Sequence, residues 1–150
     1  YSNSVNINQK MYQEDVEYLK SLPNVITTEF KDENGIGTLF KSDVDSALDV
    51  ELRWWQNGGD FLAIYVEGVD CAYWHTAEVE TLDYHIDLAK AALLGRVAYN
   101  RSPFLRLEEV CFKIGDAWEC TRTDRREWSF HYIKTRKKIK ESYNDKPKQN

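Results

Sequence analysis

The apolar positions of this chain change period several times, and each change marks an element. Behind Asn8, read as a helix N-cap, Tyr12, Val16 and Leu19 fall at i, i+4 and i+7, with Leu22 one turn further. Pro23 stops that pattern, so a short helix is predicted over 9–22. From Val25 the period becomes two. Val25 to Lys31 and Ile36 to Lys41 flank Asn34-Gly35, a hairpin signal, and a two-residue loop there sets Phe30 opposite Leu39. The next segment, Ser42-Asp43-Val44-Asp45-Ser46, lacks the glycine and closing glutamate of a calcium loop and reads as a turn held by Asx caps.

From Leu48 to Val69, Asn57-Gly58-Gly59 separates two long alternating runs. One register puts Val50 against Val66, Leu52 against Ile64 and Trp54 against Leu62, which makes one face wholly apolar; other registers mix charge into it. The opposite face then carries Glu51, Arg53, Trp55, Phe61, Tyr65 and Glu67. Aromatic side chains and arginine beside carboxylates are the composition of protein-binding hot spots, and with Asp70 these residues form the predicted partner-binding surface. A central strand covered on both sides would carry aromatics there too.

Thr76 caps a second helix, with Glu78 and Glu80 in its first turn and a stripe of Val79, Leu82, Ile86, Ala89 and Leu93. It is predicted as the one long helix, 76–98, ending between Gly95 and Asn100 ahead of Pro103. Leu105 to Ile114 and Trp118 to Thr123 then make a hairpin around Gly115-Asp116-Ala117. That three-residue loop pairs Lys113 with Glu119 and gathers Val110, Phe112, Ile114, Trp118 and Cys120 on one face. Trp128, Phe130 and Tyr132 alternate as a last strand. The expected fold is α+β: a two-layer domain with a mainly antiparallel sheet of six to seven strands, the long helix packed on it and the shorter N-terminal helix beside it. Residues 1–141 form the single domain and 142–150 a polar tail.

Charge divides the chain. Residues 1–120 hold 10 Lys and Arg against 21 Asp and Glu, and residues 121–150 hold 10 against 4. An acidic body disfavours nucleic-acid binding by the whole domain, so RNA contact is confined to the basic end, where Arg125, Arg126, Lys134 and Arg136 flank the last aromatic strand. No apolar run is long enough to span a membrane. Three cysteines, Cys71, Cys111 and Cys120, form no dense framework, and a cytoplasmic, reducing location is expected.

No hydrolase elbow, phosphate-cradling loop or zinc motif is present, and no metal or cofactor is expected. If the chain is an enzyme, its residues are His75, Glu78 and Asp70, where a strand enters the long helix and the helix dipole favours a neutral imidazole. Cys71, His75 and Glu78 are not a recognised metal set. The function these features favour is a protein-binding inhibitor module of the immunity or counter-defence type, whose acidic, aromatic surface occludes a partner with a basic surface. A small enzyme or ligand-binding domain using a pocket near His75 is the alternative, and an accessory subunit of a larger or RNA-containing assembly a further one.

Overall fold

Helix α1 runs from Ile7 to Lys20 and buries Tyr12, Val16 and Leu19, the stripe expected from their spacing. The computed structural model describes residues 7–57, 59–67, 69–74, 79–102, 107–124 and 139. Asn8 is not a cap: it lies inside the helix, buried, and its Nδ2 donates to the carbonyl oxygen of Asp60 at 2.8 Å and to Asp60 Oδ1 at 3.1 Å. The helix stops at Lys20, two residues short of the predicted end. Ser21 turns its hydroxyl back to the Tyr18 carbonyl at 2.6 Å, competing with the helical pattern before Pro23 is reached.

Five strands follow as an antiparallel sheet in chain order, interrupted by no crossover: β1 (Val25–Asp32), β2 (Gly35–Ser42), β3 (Val50–Trp55), β4 (Phe61–Val66) and β5 (Val69–Trp74). The β3–β4 register is the predicted one, with Val50 opposite Val66, Leu52 opposite Ile64 and Trp54 opposite Leu62. These six residues with Phe40 of β2 are buried and form the inner face. Trp54 is anchored there by an indole N–H bond to Asp60 Oδ1 at 2.5 Å and a tilted contact with the Tyr12 ring at 6.3 Å. The Tyr12 hydroxyl and Thr38 Oγ1 share a hydrogen bond of 2.7 Å, which satisfies two buried polar groups under the helix.

The β1–β2 hairpin closes one residue earlier than predicted. Its loop is Glu33-Asn34, so Phe30 faces Gly37 rather than Leu39. Asp32 Oδ1 accepts the backbone N–H groups of Asn34 and Gly35, an Asx turn that needs no left-handed residue. Gly35 belongs to the strand because β3 passes close beside it: a Cβ there would come within 2.0 Å of the Trp54 carbonyl oxygen. Between β2 and β3, Val44 N–H bonds to Ser42 Oγ at 3.2 Å and Ala47 N–H to the Val44 carbonyl at 3.1 Å, the side-chain-capped turn expected of that segment.

Helix α2 spans Val79–Leu93, so it is not the one long helix over 76–98; at 15 residues it nearly matches the 14 of α1. Gly95, at φ +73°, ends it. The Arg96 N–H bonds to the Ala91 carbonyl and the Gly95 N–H to the Ala92 carbonyl, the two bonds of a Schellman cap. The chain released by this cap forms β6 (Val97–Ser102), which pairs with β7 (Leu107–Ile114) and β8 (Ala117–Asp124) in a second, three-stranded antiparallel sheet. The single sheet of six to seven strands is therefore corrected, among the described residues, to sheets of five and three. Helix α2 contacts β7 as well as β4 and β5, and Leu88, Ala89, Ala92 and Leu93 share one buried cluster with Leu52, Ile64, Val97, Val110 and Phe112.

The β7–β8 hairpin also differs from its predicted register. Gly115, at φ +61°, takes the first of two loop positions, so Lys113 faces Trp118 and Cys111 faces Cys120. Trp118 and Cys120 therefore lie on the face opposite Val110, Phe112 and Ile114. Cys111 and Cys120 are joined as a disulfide, which the sparse cysteine count and the expected reducing location do not anticipate. The bridge closes a short loop, and its loss by reduction should lower stability by about 2–3 kcal/mol, read from denaturant curves with and without reductant. The predicted strand at Trp128 to Tyr132 and the tail 142–150 lie outside the described residues. Among the described residues no helix is long and apolar enough to cross a membrane.

Candidate functional site

The outer face of the five-stranded sheet is built around Arg53. Alternation along β3 turns Glu51, Arg53 and Trp55 away from the core, and the register brings Tyr65 opposite Glu51 and Phe61 opposite Trp55. The guanidinium of Arg53 lies 3.9 Å from the centroid of the Trp55 ring and 5.2 Å from that of Phe30, so it is held between two aromatic groups. One of its nitrogens, Nη2, donates to Asp32 Oδ2. Trp55 stacks on Phe61 with centroids 6.2 Å apart and planes within 19°, and its indole N–H donates to the Tyr65 hydroxyl at 2.9 Å.

The arrangement crosses four strands. Phe30 reaches into it from β1 because β2 offers Gly37 at that point: a Cβ on Gly37 would sit 2.2 Å from the Phe30 ring, so only glycine lets the ring lie flat across the strand. Phe30, Gly37 and Asp32 are the site residues that pattern reasoning missed. A usable signal was present in the alternating glycines of Gly35-Ile36-Gly37, which mark a close approach inside a strand.

Arg53 shows only 11% of its side chain to solvent, and its Nε is buried with no hydrogen-bond partner among the described residues. Leaving a buried donor unbonded costs about 1–3 kcal/mol. The electrostatics follow from this centre. Hydrogen bonding to the Arg53 guanidinium, assisted by the Asn34 and Gly35 amides, holds the Asp32 carboxyl below the usual carboxylate range. Burial pushes the Glu51 carboxyl above it, against the opposing pull of Arg53.

The two carboxyls therefore act oppositely on stability. Asp32 contributes above the ordinary carboxyl range and loses that contribution as pH falls through its lowered value; the contribution of Glu51 is complete below that range and is lost as pH rises through its raised value. Glu51→Gln should accordingly stabilise the protein near pH 7 and change little near about pH 3, while Asp32→Asn should destabilise it near pH 7 by an amount that shrinks toward about pH 2. Denaturant titrations at the two ends of that range check both signs.

The other predicted residues are placed differently. Glu67 leaves the cluster: it is buried at φ 54°, its Oε2 accepts the Asp49 N–H at 2.6 Å and its own N–H donates to the Asp49 carbonyl at 2.9 Å, tying the start of β3 to the end of β4. Asp70 falls opposite Tyr65 in the β4–β5 ladder, next to a register shift between Ile64 and Tyr65. His75, Glu78, Arg125, Arg126, Lys134 and Arg136 lie outside the described residues. Among the described residues no group of three His, Cys, Asp or Glu side chains is placed to hold a metal ion. No family model, curated protein or solved structure matches this chain.

Proposed function

We propose that this protein is a binding module of the immunity or counter-defence type, which inhibits a partner enzyme by covering it with the outer face of the five-stranded sheet. The observation that supports this reading is the setting of Arg53, held between Phe30 and Trp55 with a buried Nε that has no hydrogen-bond partner among the described residues. Local rules of polar satisfaction are broken where a surface serves something other than stability. Trp, Tyr, Phe and Arg in one patch supply rigid contact area, and they dominate binding energy at protein interfaces. The acidic balance of residues 1–120 supplies the long-range part, accelerating encounter with a basic partner such as a nuclease-like enzyme.

The test begins with an enzyme captured on the immobilised protein. Its activity should fall to zero at one equivalent of added module, and Arg53→Ala or Trp55→Ala should each weaken the complex by about 30-fold or more, the loss typical of a hot spot. Association should slow as salt rises. Partners that bind the wild type and both variants equally, or that bind without losing activity, would remove this reading.

A further inference from the structure

Among the described residues β1 pairs with β2 alone, so it is an edge. Gln56 N–H donates to the Asn34 carbonyl at 2.8 Å, which makes Gly35 and Trp55 a pair without mutual hydrogen bonds and turns the main-chain groups of Gly35 toward Asp32. Counting back in twos, Asp32, Phe30, Thr28 and Ile26 bond to β2. Lys31, Glu29, Thr27 and Val25 hold their N–H and C=O groups outward.

This edge is eight residues long, contains no proline and pairs with β2 without a bulge; of the usual devices against edge association it carries only charged side chains, Glu29, Lys31 and Asp32. Ile26 is 72% exposed, and among the described residues no strand other than β2 pairs with β1. Glu29 and Lys31 stand at the rim of an open groove of about 450 Å³ between α1 and the sheet, floored by Tyr12, Ile36 and Trp54. Both are exposed, and neither enters an ion pair among the described residues.

We propose that β1 pairs antiparallel with β1 of a second copy about a two-fold axis through Phe30, continuing the sheet from one molecule into the other. The charge pattern selects this partner and this register. Glu29 and Lys31 are opposite in sign and symmetric about Phe30, so a two-fold sets Glu29 of each copy against Lys31 of the other, and both are residues with outward main-chain groups. The ion pair then occurs twice, once on each side of the axis, while each Phe30 ring stays over Gly37 of its own sheet. An axis at Glu29 would oppose two glutamates, and one at Thr28 would leave both charges facing Thr27 and Val25. The pairing is independent of the inhibitor reading and leaves Trp55, Phe61 and Tyr65 on the outer face.

Sedimentation velocity on the full chain from about 10 µM to 1 mM should show a reversible monomer–dimer equilibrium. Glu29→Lys and Lys31→Glu should each weaken the dimer by about tenfold or more, because each places like charges opposite one another at two positions. Mixing the two single variants restores opposite charges at both positions and should restore dimerisation, as should the double variant alone. In the wild type, amide hydrogen exchange at Glu29 and Lys31 should slow as concentration rises, a readout that requires no variant. A single monomeric mass across the range, dimers unchanged in both single variants, or a mixture that stays monomeric would each overturn the proposal.

Discussion

Trp54→Ala should cost about 3–5 kcal/mol of stability, whereas Trp55→Ala, one residue along the same strand, should cost about 1–2 kcal/mol. The contrast follows from alternation. Trp54 enters the core between Tyr12 and Leu62, and its indole N–H is bonded to Asp60, which also holds Asn8 of α1; truncation empties a buried site and removes one of the two donors to that carboxylate. Trp55 lies half-buried on the outer face, where its loss removes a stack with Phe61 and the support under Arg53. Denaturant unfolding of the two variants gives the comparison, and equal losses would mean that the outer face is packed as a second core.

Gly95→Ala should destabilise by about 2–5 kcal/mol. Two costs coincide there. The residue sits at φ +73°, a conformation that a side chain disfavours, and a Cβ would come within 2.2 Å of the Asp45 carbonyl oxygen, a backbone atom that cannot rotate aside. Gly115→Ala provides the internal control: its φ of +61° carries the first cost, but its Cβ would meet nothing within 4 Å. The difference between the two midpoint shifts isolates the contact between the α2 cap and the β2–β3 loop.

The sequence made the β3–β4 pairing legible because a single register gathers Val50, Leu52, Trp54, Leu62, Ile64 and Val66 on one side. The same rule reached Glu51, Arg53, Trp55, Phe61 and Tyr65. It failed by one residue in the other two hairpins, and for a common reason: the glycine motif locates a turn without saying which residues the turn contains. At Asn34-Gly35 the glycine is demanded by the neighbouring strand instead of the loop, and at Gly115 the loop is two residues long, which moves Cys120 opposite Cys111. The division into two sheets was not legible, since whether β6 joins β5 or begins a new sheet depends on how α2 packs, and local periodicity is silent on that. Asp32 and Phe30 joined the site through the shifted β1–β2 register, out of reach of a reading that paired Phe30 with Leu39.

The uninterrupted order of the first sheet also bears on how the chain is made. Every pairing in it joins strands adjacent in sequence, so its hairpins can close one after another as the chain leaves the ribosome, and all five strands are available once residue 74 has emerged. The residues that complete the shared core, Leu88 to Leu93 of α2 and then Val97, Val110 and Phe112, follow later. During that interval Phe40, Leu52 and Ile64 lack part of their cover, which makes the stretch of translation between β5 and β7 the period in which the nascent chain is most open to chaperone binding or to association with its neighbours on a polysome.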